Sequence, residues 1–580
     1  ECLSSNTTEM KKLIYTIAAA LITCSAQAQT ARVMAIHNSP DPALLNVDVW
    51  LTTGSGSTKI ADDLSFREAT GYINAPAGQS IRISFAPATT NTINDTLVGF
   101  GYNLTAGESY VLMAQGTVSS GYNPARPFGL QVVTPVRERI VDSNQVYLTI
   151  FHGSNDAPEV FLTIRKDNEE LVTLPGLEYN EFLGEAQLPT GDYFIDIFDS
   201  DDNLLTTLNV PLETLGLNDS AIVVFASGFV DPSANSNGPA FGVFAALSNG
   251  TVIQVPVQTT FRLQVFHNCA DSNARNVDVW LVNNTKNTAT KLLSNFAFRT
   301  ATPYIDAPAI DDIKIGVAPA GSTDTSDVIY YEEVGQIPGG ITVFAAAIGV
   351  LNTTGYASNP NGKSIAFQVS GNNGLESSTE AGKVAINVFH GSTDAPRVDV
   401  KVASGPTLFT NLAYSEASES AVEVAPGSYT LNITPAGSST VVASFTAPLT
   451  GFADSALTVV ASGFLNPAAN KNGPAFGLFA VTKSGRVIAL PSAPTGAAEI
   501  ANVTASTRIY PNPATSVVNI TSAATILEVV VTDLSGRVLL NTISNGNNEA
   551  TINIETLNNG IYLMQLITDK GVVAKKLIVE

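Results

Sequence analysis

Residues 388–396 read VFHGSTDAP, and the pattern returns as AIHNSPDP at 35–42, IFHGSNDAP at 150–158 and VFHNCADS at 265–272. These stretches hold all 4 histidines of the chain, so the imidazoles recur at spacings of 115, 115 and 123 residues. A period of that length is a whole domain, not a solenoid turn. A second recurrence makes the domains alternate in type: ASGFVDPSANSNGPAFGVFA at 226–245 returns as ASGFLNPAANKNGPAFGLFA at 461–480, and NVDVWL at 46–51 returns at 276–281. The order reads A-B-A-B.

Inside each period, apolar residues alternate after a Pro or Gly turn: PAGQSIRISF (76–85), PTGDYFIDIF (189–198), APAIDDIKIGV (307–317) and PGSYTLNI (426–433). Tyr193, Ile195 and Ile197 fall on one face, as do Tyr429, Leu431 and Ile433, which is the period of a strand buried on one side. The expected class is all-β: tandem antiparallel Ig-like β-sandwiches, at 29–137 (repeat 1, type A), 143–257 (repeat 2, type B), 260–371 (repeat 3, type A) and 383–492 (repeat 4, type B), plus a small C-terminal β-sandwich at 507–580. The stretches 371–382 and 493–506 read as linkers.

Composition agrees. The chain is 44% hydrophobic but only 14% charged, with a net charge of −22, so it is neither a disordered acidic tail nor a helical bundle. No basic cluster offsets the acidic balance, which argues against nucleic acid and anionic headgroups as partners. Met10 to Ala28 has the layout of a cleaved signal peptide, with Lys11 and Lys12, a short apolar run and an Ala-Gln-Ala end that places cleavage between Ala28 and Gln29. Residues 1–9 then precede the true start, and no transmembrane anchor is expected. Of the 3 cysteines only Cys269 lies beyond that segment, so no internal disulfide can form.

The last 74 residues follow another pattern, RIYPNPATSVVNI, VVVTDLSGRVLL, then NNGIYLMQLITDKGVVAKKLIVE. Tyr510, Pro511, Asn512 and Pro513, then Asp533 with Gly536 and Arg537, Gly560 with Tyr562, and Lys575-Lys576-Leu577-Ile578-Val579 closely resemble the type A C-terminal sorting domain of the type IX secretion system of Bacteroidetes-type bacteria. The resemblance implies the type IX secretion machinery as a partner. It also implies delivery to the medium or outer surface of a Gram-negative cell, with release or attachment to lipopolysaccharide. The repeats resemble the DUF4397 family, secreted bacterial domains with a strand ending in His followed by Ser, Asp, Ala and Pro. His152 to Pro158 and His390 to Pro396 carry the full form; repeat 3 departs most, with Cys269 for Ser and Ser272-Asn273 for Ala-Pro. The family implies no established activity.

The histidine turns admit three chemistries. A Ser-His-Asp hydrolase needs the two imidazole nitrogens aimed at groups on opposite sides, which one short turn resists, and there is no G-x-S-x-G elbow. A metal site could start from His37 with Asp41, His152 with Asp156, His267 with Asp271 and His390 with Asp394, but two ligands are too few. The architectural reading, favoured here, has Asp accepting backbone amides, Pro setting the turn and His donating to a carbonyl. It leaves room for a shared small-ligand rim of the same residues. Alignment of NVDVWL with RVDVKV at 397–402 places Trp50 and Trp280 where repeat 4 has Lys401, a residue type seldom buried, so both tryptophans are expected on an outer face, either open and suited to stacking on a sugar or packing against a partner, or covered by the adjacent domain or by a loop insertion of their own domain. Asp95-Thr96-Leu97, Asp219-Ser220-Ala221 and Asp454-Ser455-Ala456 resemble O-glycosylation triplets and also suit turns. No cofactor and no metal is expected. The expected function is non-enzymatic adhesion or glycan binding at the cell surface or in the medium, with a secreted hydrolase acting on extracellular polymer, or an inert stalk, as alternatives.

Overall fold

A computed structural model describes residues 29–580 except 89, 91, 141–143, 404, 494–502, 535 and 545; the signal segment with Ala28, and most of the 493–506 linker, lie outside the described residues. The chain divides into two compact units, Glu1–Gln258 and Thr259–Glu580.

Each unit contains two β-sandwiches built to one plan. In the first sandwich, one sheet runs Glu68–Ala69, Thr30–Asn38, Ser109–Gln115, Gly129–Val133, and the other runs Gly56–Ser65, Asn46–Thr53, Ser80–Pro87, Val98–Asn103. The second pairs Phe182–Pro189, Gln145–Phe151, Ala221–Ser227, Gly242–Leu247 and Val252–Val255 with Glu169–Leu177, Val160–Lys166, Asp192–Phe198 and Leu204–Pro211. The Thr259–Glu580 unit repeats both plans, starting from Thr260–His267 and Val384–His390, and adds a smaller sandwich with sheets of 3 and 4 strands between Arg508 and Val579. The all-β, paired-sheet architecture read from the sequence is therefore the observed one.

The alternating runs do what their period requires. Tyr193, Ile195 and Ile197 point into the core of the second sandwich, and Leu431 and Ile433, with Tyr429 at the margin, into that of the fourth. Among the described strands the sheets are antiparallel except for one pairing in each of the four larger sandwiches: the strand that leads into the motif histidine turn lies parallel to a later strand, as Thr30–Asn38 does to Ser109–Gln115 and Val384–His390 to Ser455–Ser462. These central strands are nearly continuous apolar runs because both faces are buried. Val33 and Ala35 face the core of the first sandwich, while Met34 and Ile36 face a second cluster, with Phe151, Phe225 and Phe244 of the second sandwich. Phe266, Phe344, Phe389 and Val460 form the equivalent cluster in the other unit. A and B sandwiches are thus fused in pairs through a core of their own. The 371–382 stretch, expected to be a linker, is built in: Gly371 to Asn373 close the strand Gln368–Asn373, and Glu376 pairs with Arg262 at 2.7 Å.

Candidate functional site

Each histidine lies at the end of its central strand or within one residue of it, 0–2% exposed. In all four turns Nε2 faces a backbone carbonyl: Leu44 at 2.6 Å from His37, Pro158 at 2.9 Å from His152, Ala274 at 2.7 Å from His267 and Pro396 at 3.1 Å from His390. A carbonyl only accepts, so Nε2 carries the proton and donates. Burial lowers the imidazole pKa to about 4 in His37 and His267, and below its ordinary value in His152 and His390. Neutral rings fixed in one tautomer are the result.

The carboxylates are spent in the same way. Asp41 accepts the Val118 and Ser119 amides at 2.8 and 2.6 Å, Asp156 those of Val230 and Asp231 at 2.7 and 2.9 Å, Asp271 that of Leu351 at 3.0 Å, and Asp394 those of Leu465 and Asn466 at 2.7 and 2.8 Å. In every copy these amides follow the strand parallel to the histidine's own strand, so the turn clips two strand ends together. The motif serine completes the clip by donating to a glycine carbonyl, Ser39 to Gly116 at 2.6 Å, Ser154 to Gly228 at 3.0 Å and Ser392 to Gly463 at 2.7 Å. Those glycines have φ of +82 to +84°, and a Cβ on Gly228 would lie 2.5 Å from the Ala240 carbonyl oxygen. Cys269 holds the serine's place in the third copy, fully buried, with its thiol pushed up to about 12 by burial. The serine hydroxyls and the proton-bearing nitrogens thus face backbone carbonyls, and the carboxylates face backbone amides together with the Ser119 hydroxyl and the Asn235 and Asn470 side-chain amides, instead of forming a nucleophile-base pair or a metal shell.

The turns also explain the alternation of type. After the histidine, A copies have Asn and B copies have Gly. Asn38 donates to the carbonyls of Gly153 and Ala226 at 3.4 and 3.1 Å, and Asn268 to those of Gly391 and Ala461 at 3.3 and 3.2 Å. A Cβ on Gly153 or Gly391 would fall 2.2 or 2.0 Å from that amide nitrogen, so the B copy must be glycine for the A copy to insert. A second contact lay unread in the sequence. Arg67 donates to the Ser227 hydroxyl at 2.9 Å and the Ala240 carbonyl at 2.6 Å, and Arg299 to the Ser462 hydroxyl at 3.0 Å and the Ala475 carbonyl at 2.7 Å. Each guanidinium lies over a ring of the B sandwich, Phe244 at 4.4 Å and Phe479 at 4.2 Å. Burial pushes both arginines down to about 10. The signal was present as FREAT at 66–70 and FRTAT at 298–302, which face the recurring ASGF…NGPAF stretches.

On the outer sheets, the tryptophans divide. Trp280 is only 8% exposed, so of the two alternatives, an open face or cover, it takes cover by its own domain: its Nε1 donates to the Ser322 hydroxyl at 3.0 Å and the Lys291 ammonium sits 5.3 Å from its ring centroid. The cover is a loop and a strand of its own sandwich. Trp50 is half-buried, with Lys59 at 5.5 Å. Beside each lies the aspartate of the VDV triplet. Burial would raise the Asp278 pKa, but the Asn295 amide at 2.7 Å, Lys291 at 2.9 Å and the Ser322 hydroxyl at 2.8 Å hold it down at about 2. Asp48 and Asp399 likewise accept the amides of Asp63 and Asn411, which, like Asn295, have positive φ at a register shift of the neighbouring strand. The triplet pins a β-bulge. Asp219 and Asp454 accept the Asn144 and Gly382 amides at 2.6 Å, as turn residues do.

In the tail, Asn512 behaves as a piece of strand: its side chain donates to the Lys576 carbonyl and accepts the Ile578 amide, both at 2.8 Å. Tyr510 is half-exposed beside it and Pro511 and Pro513 flank the bridge. Gly536, at φ +89°, turns the chain so that Asp533 accepts the Arg537 amide at 3.1 Å. The Tyr562 hydroxyl donates to the Asn558 carbonyl at 2.6 Å, two residues after Gly560, and the Lys575 ammonium to the Thr504 carbonyl at 2.7 Å. Among the described residues no helix is long and apolar enough to cross a membrane.

Residues 508–580 match the family described as secretion system C-terminal sorting domain, and residues 31–163 and 384–475 match the domain of unknown function DUF4397, matches that include three of the four histidine turns and omit that of His267. No curated protein matches the chain. Among solved structures, the Bacillus anthracis TIE protein is similar at 8% identity over 79% of this chain and 78% of its own, with a TM-score of 0.14. The multi-modular glycogen-degrading pneumococcal virulence factor SpuA is similar at 11% identity over 74% of this chain and 37% of its own, with a TM-score of 0.13. PorZ, a surface component of the type-IX secretion system of Porphyromonas gingivalis, is similar at 13% identity over 93% of this chain and 73% of its own, also with a TM-score of 0.13. The chain carries DUF4397 segments at 31–163 and 384–475 and a type IX secretion-system C-terminal sorting domain at 508–580, and is exported to the cell surface or the extracellular space.

Proposed function

We propose that this exported protein works without catalysis, as an adhesive or glycan-binding array of four modules, at 29–137, 143–257, 260–371 and 383–492, set out as two A-B pairs. One observation carries the non-catalytic reading: all four histidine turns direct their Nε2 protons at backbone carbonyls, and their carboxylates accept backbone amides, with the Ser119, Asn235 and Asn470 side chains as further donors in three copies. That is the work of a joint, and it leaves His37, His152, His267 and His390, with Asp41, Asp156, Asp271 and Asp394, as supports beneath a ligand rim. Fused pairs favour avidity, because each pair presents its outer faces at one fixed angle. Trp50 is the better of the two candidate stacking platforms, since Trp280 is covered within its own sandwich. Surface glycan or lipopolysaccharide is the proposed ligand class.

The test is binding of the secreted chain to a panel of immobilised polysaccharides and lipopolysaccharide. Trp50→Ala should lower retention at least tenfold with unchanged circular dichroism, while Trp280→Phe should leave it unchanged. Retention of nothing on the panel would favour the inert stalk, and depolymerisation of any panel member would overturn the non-catalytic reading. Export is tested separately by fractionating cells that express the chain with and without 507–580.

A further inference from the structure

The two A sandwiches share a plan but not an interior. Their registers align strand by strand, so each inward position of the first has a counterpart in the third. Tyr110 becomes Val343 and Leu112 becomes Ala345 on the central parallel strand, Phe85 becomes Val317 on the facing sheet, and Val132 becomes Gly371 at the edge. Phe261 and Val265, in place of Ala31 and Ala35, return only part of the lost volume. The first sandwich packs as one continuous core, whereas the third has two separate clusters with a cavity of about 270 Å³ between its sheets, lined by Val317, Val343, Ala345 and Gly371 among others. That is roughly twice the ~150 Å³ apolar cavity that takes up a benzene.

The edge differs in the same direction. In the first sandwich Phe100 packs inward and the Tyr102 hydroxyl reaches across to the Leu130 carbonyl at 3.2 Å, tying the two edge strands. The third has Glu332 and Gly335 at those positions. Glu332 accepts the Tyr330 hydroxyl and, at 3.3 Å, the Val369 amide, and it lines the cavity with exposed Glu333 and Asp306. Asp306 is paired with the Arg262 guanidinium at 2.9 Å, so Glu332 and Glu333 set the charge beside the apolar chamber: a fatty acid would bring a further negative charge next to them, whereas a hydroxyl or an ammonium finds acceptors there.

We infer that the third sandwich binds one aliphatic chain of medium length with a neutral or cationic polar end, held between Thr260–His267, Thr342–Ile348 and Asp312–Pro319 with its head at Glu332. The inference does not rest on the glycan reading. Gly371→Val is the key variant, because it restores the first sandwich's residue, the glycine's φ is not in the left-handed region, and its Cβ would meet only Val343 at 3.8 Å. Ala345→Leu is the second.

Isothermal titration calorimetry of the full secreted chain with 1-octanol, octylamine and octanoate tests the inference. Octanol and octylamine should bind saturably, octanoate at least tenfold more weakly. Gly371→Val and Ala345→Leu should each weaken octanol binding at least tenfold while leaving the midpoint of thermal unfolding equal or higher. Absence of saturable octanol binding, octanoate binding as tightly as octanol, or octanol binding undiminished in Gly371→Val would each overturn it.

Discussion

The buried imidazoles make a prediction about acid stability that needs no functional assumption. An unfolded histidine protonates near 6.5, whereas His37 and His267 do so at about 4 in the folded chain, because burial disfavours the cation. As pH falls, the unfolded state takes up the proton first. The stability these rings permit is therefore complete above 6.5, declines between 6.5 and about 4, and is constant below that. At pH 5 each of the two costs about 2 kcal/mol relative to pH 7. Carboxylates do not confuse this window. Unfolded Asp and Glu protonate near or below 4.5, and the perturbed ones here, such as Asp278 at about 2, lie lower still when folded, so their losses begin where the histidine loss is nearly complete; the exception is Glu528, which burial raises and whose contribution has the opposite sign, growing as pH falls. Because the chain holds only 4 histidines, the assay is direct. ¹⁵N-histidine labelling should show four rings with protonated Nε2, with no titration of His37 or His267 between pH 7.5 and 5. Urea unfolding monitored through Trp50 in a Trp280→Phe background should lose the predicted stability over the same range, and His37→Gln should flatten the dependence. A His37 or His267 ring that titrates near 6.5 would refute the buried-neutral assignment and, with it, the joint.

Arg67→Met should uncouple the first pair at a cost of about 2–4 kcal/mol, since a desolvated guanidinium loses a hydroxyl, carbonyls and a ring at once, seen as a new protease cut or an earlier urea transition. Cys269→Ser should be neutral or stabilising by up to about 1 kcal/mol, because it restores the hydroxyl that the other three turns donate to glycine. In the native chain Cys269 should resist iodoacetamide at pH 8 and react in urea, as a buried thiol pushed up to about 12 requires. Gly228→Ala should cost about 3 kcal/mol or more, measured by unfolding, as its Cβ meets the Ala240 carbonyl at 2.5 Å in a left-handed backbone.

The period of 115 residues, the strand faces and the sorting tail could be read from residues alone, because each is a repeating local pattern. Tyr193, Ile195 and Ile197 announce one buried face. Val33 to Ile36 announce two, and there a linear pattern stops being informative: an apolar run says that both faces are covered, not by what. The cover proved to be the next sandwich, reached through Met34 and Ile36 on one side and Phe151 and Phe225 on the other. The arginine clasp was hidden for a related reason, since its acceptors are mostly carbonyls, which have no letter in a sequence. For Trp280, alignment with Lys401 transferred the face of the residue but left open whether a loop covers it; the structure closes it with the loop at Ser322. The 371–382 stretch looked like a linker because Gly, Asn and Ser dominate it, yet its first residues complete a sheet edge.

The third sandwich gathers the departures. It has Cys269 for serine, it lies outside the family matches, and its interior has shed large residues at four aligned positions. Its joint has not changed in step: Asn268 still inserts against Gly391, and Arg299 still clasps Ser462 with geometry within 0.1 Å of the first pair at each of its three oxygens. If loss of packing were mere erosion, it would weaken the central parallel strands that the joint is built on, and the joint would loosen with it. Instead the small residues lie on the core face of those strands while Phe266 and Phe344, on the opposite face, keep the pair core filled. A strand with two buried faces can vary one without disturbing the other. In this fold that division lets the histidine turn hold the architecture constant while the space between the sheets becomes free to take on a ligand.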